Sequence, residues 1–291
     1  MLRPRLLSVL LPVLAPVLLT PAPAKGADAP LVFVSIPPQK SFVEHVAGSL
    51  VHVEVLLPAG ASPATYEPTP HQMAALERAD LYLRIGVPFE GPLLRKAADL
   101  MPSLRIIDCR RGVELVPMAG HAHEVRGEAP TDPHIWLDPM RVKTIATTIS
   151  DALDDLLPGS AAELDRNLSA FLQELDRVDG RVAARLAPLA GRELLVFHPA
   201  FGYFTRRHGL RQLAVEAEGK APTARQLAAI VEAVERTGQT TLFAQPQFSA
   251  SSARTVADAV GCRVVELDPL AEDYLANLET MALSIAAGLG G

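Results

Sequence analysis

The sequence predicts an α/β protein in which two parallel-sheet units are divided by one long helix. Three observations carry that prediction. Short β-branched runs alternate with stretches of helical spacing before residue 118 and again after residue 190, the order that produces parallel sheets. Between the two blocks, residues 161–189 keep an apolar spacing of about 3.6 residues. The chain of 291 residues is also longer than one core of about 100–150 residues requires.

The N-terminus stands outside that pattern. Arg3 and Arg5 make a short basic start, residues 6–19 form an apolar run, and Ala22, Pro23 and Ala24 supply a small-residue cleavage site. These are the three parts of an export signal, so residues 1–24 are expected to be removed after Ala24 and the mature protein to lie outside the cytoplasm. The apolar run contains prolines and falls short of the about 20 residues that cross a bilayer, which argues against an anchor. No cysteine near the cleavage point could carry a lipid.

The first block occupies residues 30–158. "LVFVSI" reads as a strand, "KSFVEHVAGSL" as a helix ending near Gly48, and "VHVEVLL" as a second strand. A Gly/Pro-rich loop, "PAGASPATYEPTP", then runs into a helix for which Thr69 is the N-cap and Pro70 the first helical position. "DLYLRIG" and "SLRIIDC" are strands around the helix "FEGPLLRKAADL". The segment "MAGHAHEVRGEAPTDPHIWLDP" has no period and reads as loop. Asp138 and Pro139 open a helix whose apolar face is Val142, Ile145, Ala146, Ile149, Leu153 and Leu156, broken at Pro158 and Gly159.

The dividing helix, residues 161–189, would be a rod of roughly 40 Å at about 1.5 Å per residue. In the second block, residues 190–291, the strands are "RELLVF", "RQLAVEA", "TTLFAQ" and "CRVVEL". Between and after them come a short helix ending near Gly209, helices over 223–236 and 251–260, and a last helix from Glu272. Gly261 stands where a left-handed C-cap is expected.

Composition excludes some functions. A net charge of −6 with no Lys/Arg cluster gives nucleic acid no basic stripe to bind and suits a small cation. Cys109 and Cys262 fall in different blocks, so they are expected to be two free, buried thiols, although export would permit a disulfide. The chain has no G-x-S-x-G elbow, no H-E-x-x-H helix and no phosphate-cradling glycine loop with lysine. A binding protein, not an enzyme, is the expected class.

Ligands of open parallel sheets bind beyond the carboxyl ends of the strands. There the sequence puts His198, after "ELLVF", and Asp268, after "RVVEL", while His134 lies in the long loop before the Asp138 helix. Each has a proline neighbour that stiffens it. A divalent ion needs neutral imidazole nitrogens and ionised oxygens held at about 2.0–2.2 Å, and these three side chains supply both. Each alone has a plainer reading: Asp268 as a turn former, His198 as a hydrogen-bonded strand end, His134 as a loop residue. His45, His52, His71 and His208 read as structural or surface residues, whereas His121 and His123 form an H-x-H pair suited to accessory metal capture. Two histidines, one carboxylate and an open position is also the catalytic zinc pattern, with Glu67 the one weak candidate for a general base.

The motifs "VEVLLPAGASPATYEPTPHQMAALERADLYLRIG", "DPHIWLDP", "LLVFHPAFGYFTRRHGL", "EGKAPTARQL", "FAQPQFS" and "VVELDPL" follow one another in the order found in the zinc/manganese solute-binding proteins of ABC transporters. The chain resembles that family over nearly its whole mature length. The resemblance implies two α/β lobes joined by a rigid backbone helix, with a metal held in the interlobe cleft by three histidines and one carboxylate. It also implies a periplasmic monomer that delivers the metal to an inner-membrane ABC permease. By that resemblance His134 is similar to the second histidine, His198 to the third and Asp268 to the carboxylate. Ala64 stands where the first histidine belongs, and alanine coordinates nothing. Glu67, water, or one of His71, His121 and His123 is then expected in the vacated position. Zinc is the first expectation for the metal, with manganese or iron after it because an oxygen ligand hardens the site. The alternatives are a receptor that has moved to a metal chelate or small organic ligand, and a zinc hydrolase.

Overall fold

A computed structural model describes residues 29–118, 131–216 and 223–290. The expected leader and the pair His121 and His123 lie outside the described residues. Two four-stranded parallel sheets form the frame. The first contains β1 (Leu31–Val34), β2 (His52–Val55), β3 (Leu81–Arg84) and β4 (Arg105–Asp108), and the second β5 (Glu193–Val196), β6 (Arg211–Ala214), β7 (Thr241–Ala244) and β8 (Arg263–Glu266). Their orders, β2-β1-β3-β4 and β6-β5-β7-β8, are the same. Each sheet therefore changes winding direction beside its first strand, where ligands of such sheets gather.

The helices largely follow the apolar spacing, and the differences have local causes. The first, α1 (Pro37–Ala47), starts three residues before "KSFVEHVAGSL" because Pro37 and Pro38 fit a first turn, where no N–H is needed. Next, α2 (Pro70–Leu76) opens as expected: Thr69 accepts from Gln72 N and Gln72 reaches back to Thr69 N, a reciprocal capping box. After α3 (Glu90–Leu100), α4 (Pro139–Leu156) buries Val142, Ile145, Ala146, Ile149 and Leu153, with Asp138 capping Met140 N at 2.9 Å. The dividing helix α5 (Ala161–Leu186) passes into a 3-10 turn, Ala187–Leu189, at Pro188, which has no N–H to continue the α ladder. In the second block come α6 (Gly202–Arg207), α7 (Ala224–Thr237), α8 (Ala250–Val260) and α9 (Tyr274–Leu289). Gly261 closes α8 in the left-handed region, at φ +70°.

The dividing helix is what joins the two sheets. Leu164, Phe171, Leu175, Val178, Val182 and Leu186 form its buried stripe, and it packs on α1, α4 and α9. One apolar cluster consequently runs from the first sheet through α4 and α5 to α9 and the inner face of the second sheet, with a second cluster under α7 and α8. Each large side chain in that stripe contributes about 1.5–3 kcal/mol by leaving water. Cys109 and Cys262 are buried and unbonded to each other. Among the described residues no helix is long and apolar enough to cross a membrane.

His208, at the end of α6, is buried against the Phe204 ring, and neither ring nitrogen has a hydrogen-bond partner among the described residues. Burial pushes its imidazole below the ordinary 6.5, opposed by Asp179 and Asp138 and reinforced by Arg207. The unfolded chain then holds the proton more readily than the folded one. This contribution to stability is complete above about pH 6.5 and is lost as the pH falls below it towards the lowered folded value. Unfolding midpoints measured between about pH 7.5 and 5 should fall for the native chain and fall less steeply for His208→Leu.

Candidate metal centre

His134 is delivered by a short extended segment pinned from several directions. Asp132 N donates to Val116 O at 2.8 Å, and Tyr203 hydroxyl donates to Asp132 O at 3.1 Å while accepting from Val116 N. Asp132 Oδ1 accepts from His134 N at 2.9 Å and lies 2.7 Å from His134 Nδ1. A carboxylate only accepts, so Nδ1 carries the ring proton and Nε2 keeps its lone pair.

His198 is delivered by β5 and treated in the same way. Its backbone is clamped by the Gln245 amide, which accepts from His198 N at 3.1 Å and donates to His198 O at 3.0 Å. The buried carboxylate of Glu216, just past β6, stands 2.9 Å from His198 Nδ1, which again leaves Nε2 free. Phe248 stacks on the His198 ring at 4.7 Å between centroids. The His134 and His198 rings are 5.4 Å apart and nearly perpendicular. Two imidazoles converge here, each fixed from behind by a buried carboxylate, which is how histidines are held for a metal.

Both rings line a cleft of about 500 Å³. Much of its remaining wall comes from loops that follow strands: Ser62 to Thr65 after β2, Val87 and Pro88 after β3, Gln247 to Ser249 after β7, and Pro269 and Leu270 after β8. The Val87–Pro88 wall is set by the buried Glu90, which accepts from Ile85 N at 2.8 Å, Gly86 N at 2.7 Å and Ser35 Oγ at 2.5 Å. Burial pushes the Glu90 carboxyl up, against the pull of those donors.

Asp268 and Glu67 are not gathered with the histidines. Asp268 Oδ1 accepts from Leu270 N at 2.9 Å and from Gln247 Nε2 at 2.7 Å. It lines a neighbouring depression that shares Gln247 and Leu270 with the cleft. The Asp268–Pro269 turn is nonetheless tied to the histidine segment, since the Trp136 indole donates to Pro269 O at 2.7 Å. Glu67 is exposed in another depression, with Tyr66, Phe89 and Lys96. It is carried there because the Tyr66 hydroxyl is anchored on Leu56 O at 2.7 Å and Gln72 Oε1 at 2.6 Å. Among the described residues no three His, Cys, Asp or Glu side chains already stand together as a metal cage. Ala64 does line the cleft, and His71 is exposed on α2.

Sequence reasoning passed over Asp132, Glu216 and Gln245. Two of them had a legible signal. Asp132 is two residues before His134, and Glu216 sits just beyond the carboxyl end of β6, where the strand-end rule applies.

The model of the family described as "ZnuA: Zinc-uptake complex component A periplasmic" matches residues 32–288. The high-affinity zinc uptake system protein ZnuA of Yersinia pestis is 31% identical over 282 residues, which is 88% of this chain and 88% of that one. Among solved structures, a crystal structure of ZnuA has a TM-score of 0.83 at 39% identity, covering 90% of this chain and 100% of that one. A zinc-bound deletion mutant of ZnuA gives 0.83 at 40% identity, covering 90% and 98%.

If the carboxylates orient the rings for a metal, exchanging Glu216 for the weaker neutral acceptor in Glu216→Gln should lower divalent-metal affinity about tenfold, and Glu216→Ala by up to about 100-fold. Calorimetric titration of the metal-stripped variants checks this.

Proposed function

The chain belongs to the periplasmic zinc-uptake component family, and from that premise we propose that it captures zinc outside the cytoplasm and hands it to an inner-membrane ABC permease. Binding is its whole task; no bond is made or broken. The observation that carries the reading is the convergence of His134 and His198 with their Nδ1 atoms turned to Asp132 and Glu216. Zinc favours imidazole nitrogen, and such sites hold it at about 2.0–2.1 Å from each histidine.

The ion takes Nε2 of His134 and of His198 and a carboxylate oxygen of Asp268. Asp268 joins by exchanging the Gln247 amide for the metal, a short side-chain rearrangement in a turn already tied to the histidine segment by Trp136. Water occupies the position opposite Ala64, because Glu67 lines the adjoining depression and not the cleft, and its neighbour Tyr66 is anchored on Leu56 O. The apolar cluster that joins the sheets limits lobe movement, so affinity follows ligand identity more than closure. Residues 1–24 serve as the export signal, and the mature chain acts as a monomer. His121 and His123 are accessory zinc donors at most.

Metal-stripped protein should take up one equivalent of zinc by calorimetry, more tightly than manganese, because nitrogen ligands outnumber oxygen ones from the protein. Absence of stoichiometric zinc uptake would sink the proposal. His198→Ala should abolish uptake. Glu67→Ala should leave affinity within about twofold, whereas a loss near tenfold, about 1.4 kcal/mol, would make Glu67 a ligand in place of water.

A further inference from the structure

We propose that Gly202 is a positioning residue for His134: the lack of a side chain at 202 admits the Asp132 carboxylate to the one place from which it fixes the His134 ring. The inference rests on the metal site proposed above. Its basis is a close approach. A Cβ built on Gly202 would stand 2.6 Å from Asp132 Oδ2, well inside van der Waals contact, and 3.9 Å from Asp132 Cγ and Gln212 Nε2.

Asp132 cannot yield at its backbone. Its N–H is bound to Val116 O, its carbonyl oxygen accepts from Tyr203, and its side chain is almost wholly enclosed. Gln212 is committed as well, since its Oε1 accepts from Phe201 N at 2.6 Å. The remaining way to admit a methyl group at 202 is to turn the Asp132 carboxylate. Turning it moves Oδ1 away from His134 Nδ1 and releases the ring.

Gly202 is not needed for the backbone. It begins α6 in ordinary helical conformation, with no positive φ, so alanine there is intrinsically favourable to the helix. The contact with Asp132 is what excludes it. Gly202 also follows His198 by only four residues, through Pro199, Ala200 and Phe201, and the next residue, Tyr203, holds the Asp132 carbonyl. One short segment thus carries one histidine and supports the carboxylate that orients the other. The two-histidine half of the site is a single preassembled unit.

The test compares Gly202→Ala, Asp132→Ala, the double variant and His198→Ala with the native chain. Zinc affinity is read by calorimetry and folding by the thermal midpoint. In zinc-free protein, the tautomer of His134 is read from two-bond ¹H–¹⁵N correlations of its ring. Gly202→Ala should melt within a few degrees of the native chain, lose the Nδ1–H signature of His134, and bind zinc about 10- to 100-fold more weakly. In the Asp132→Ala background the same change should cost nothing further. Native-like affinity and tautomer in Gly202→Ala overturn the proposal. So does an equal loss in the Asp132→Ala background, which would place the effect elsewhere even if Gly202→Ala melted early. Loss of binding in His198→Ala with an unaffected Gly202→Ala defeats the positioning role alone, while retained binding in His198→Ala defeats the site and the inference together.

Discussion

Everything at the cleft depends on two imidazoles being held from behind. An unrestrained histidine presents either nitrogen and spends entropy to present the right one. Here Asp132 and Glu216, both buried, stand 2.7 and 2.9 Å from the Nδ1 atoms of His134 and His198, so the tautomer and the ring plane are set before a ligand arrives. Burying those carboxylates costs free energy unless they are hydrogen-bonded. The Asp132 carboxylate accepts from His134 N as well as meeting its Nδ1, and the Glu216 carboxylate meets His198 Nδ1. A strand delivers His198 and a pinned loop segment delivers His134; the carboxylates make them a matched pair.

The frame around that pair is arranged to stay still. Parallel sheets are buried on both faces, and here the two are joined through α5 by a continuous apolar cluster. Opening the cleft by a large hinge would expose that apolar surface at about 25 cal/mol per Å². The proposed site then leaves selectivity to the local chemistry of the cleft: two imidazole nitrogens, the Asp268 carboxylate, and the position opposite Ala64.

Much of the frame was legible in the sequence because its causes are local. Alternation, 3.6-residue spacing, the Thr69–Gln72 cap and the Gly261 stop depend on neighbours in the chain. At Pro37 and at Pro188 the reading slipped where a proline was fitting or ending a helical turn, and the last helix starts at Tyr274, not Glu272, because Asp273 caps it. The family resemblance, carried by ordered motifs such as "DPHIWLDP" and "FHPAFGYF", matches the zinc-uptake family model over residues 32–288. The site was legible only in part. His198 could be named because a strand end and a proline mark it, and His134 because a proline stiffens its loop just before the Asp138 helix. The contact between Gly202 and Asp132 joins residues 70 positions apart, and no local pattern reports it. Glu67, three residues from Ala64, lines a depression that shares Ala64, Thr65 and Pro88 with the cleft, and the anchoring of its neighbour Tyr66 is not visible in any local pattern.

In the proposed site Ala64 leaves one side open. The central claim is that one zinc ion is held by His134 and His198 acting together. A difference map from anomalous scattering at the zinc edge, on crystals of the zinc-loaded protein, tests it most directly. The account predicts a single peak about 2.0–2.1 Å from both Nε2 atoms, with an Asp268 oxygen at about 2.0–2.2 Å. A cleft without a peak, in crystals that carry zinc elsewhere on the chain, would contradict it.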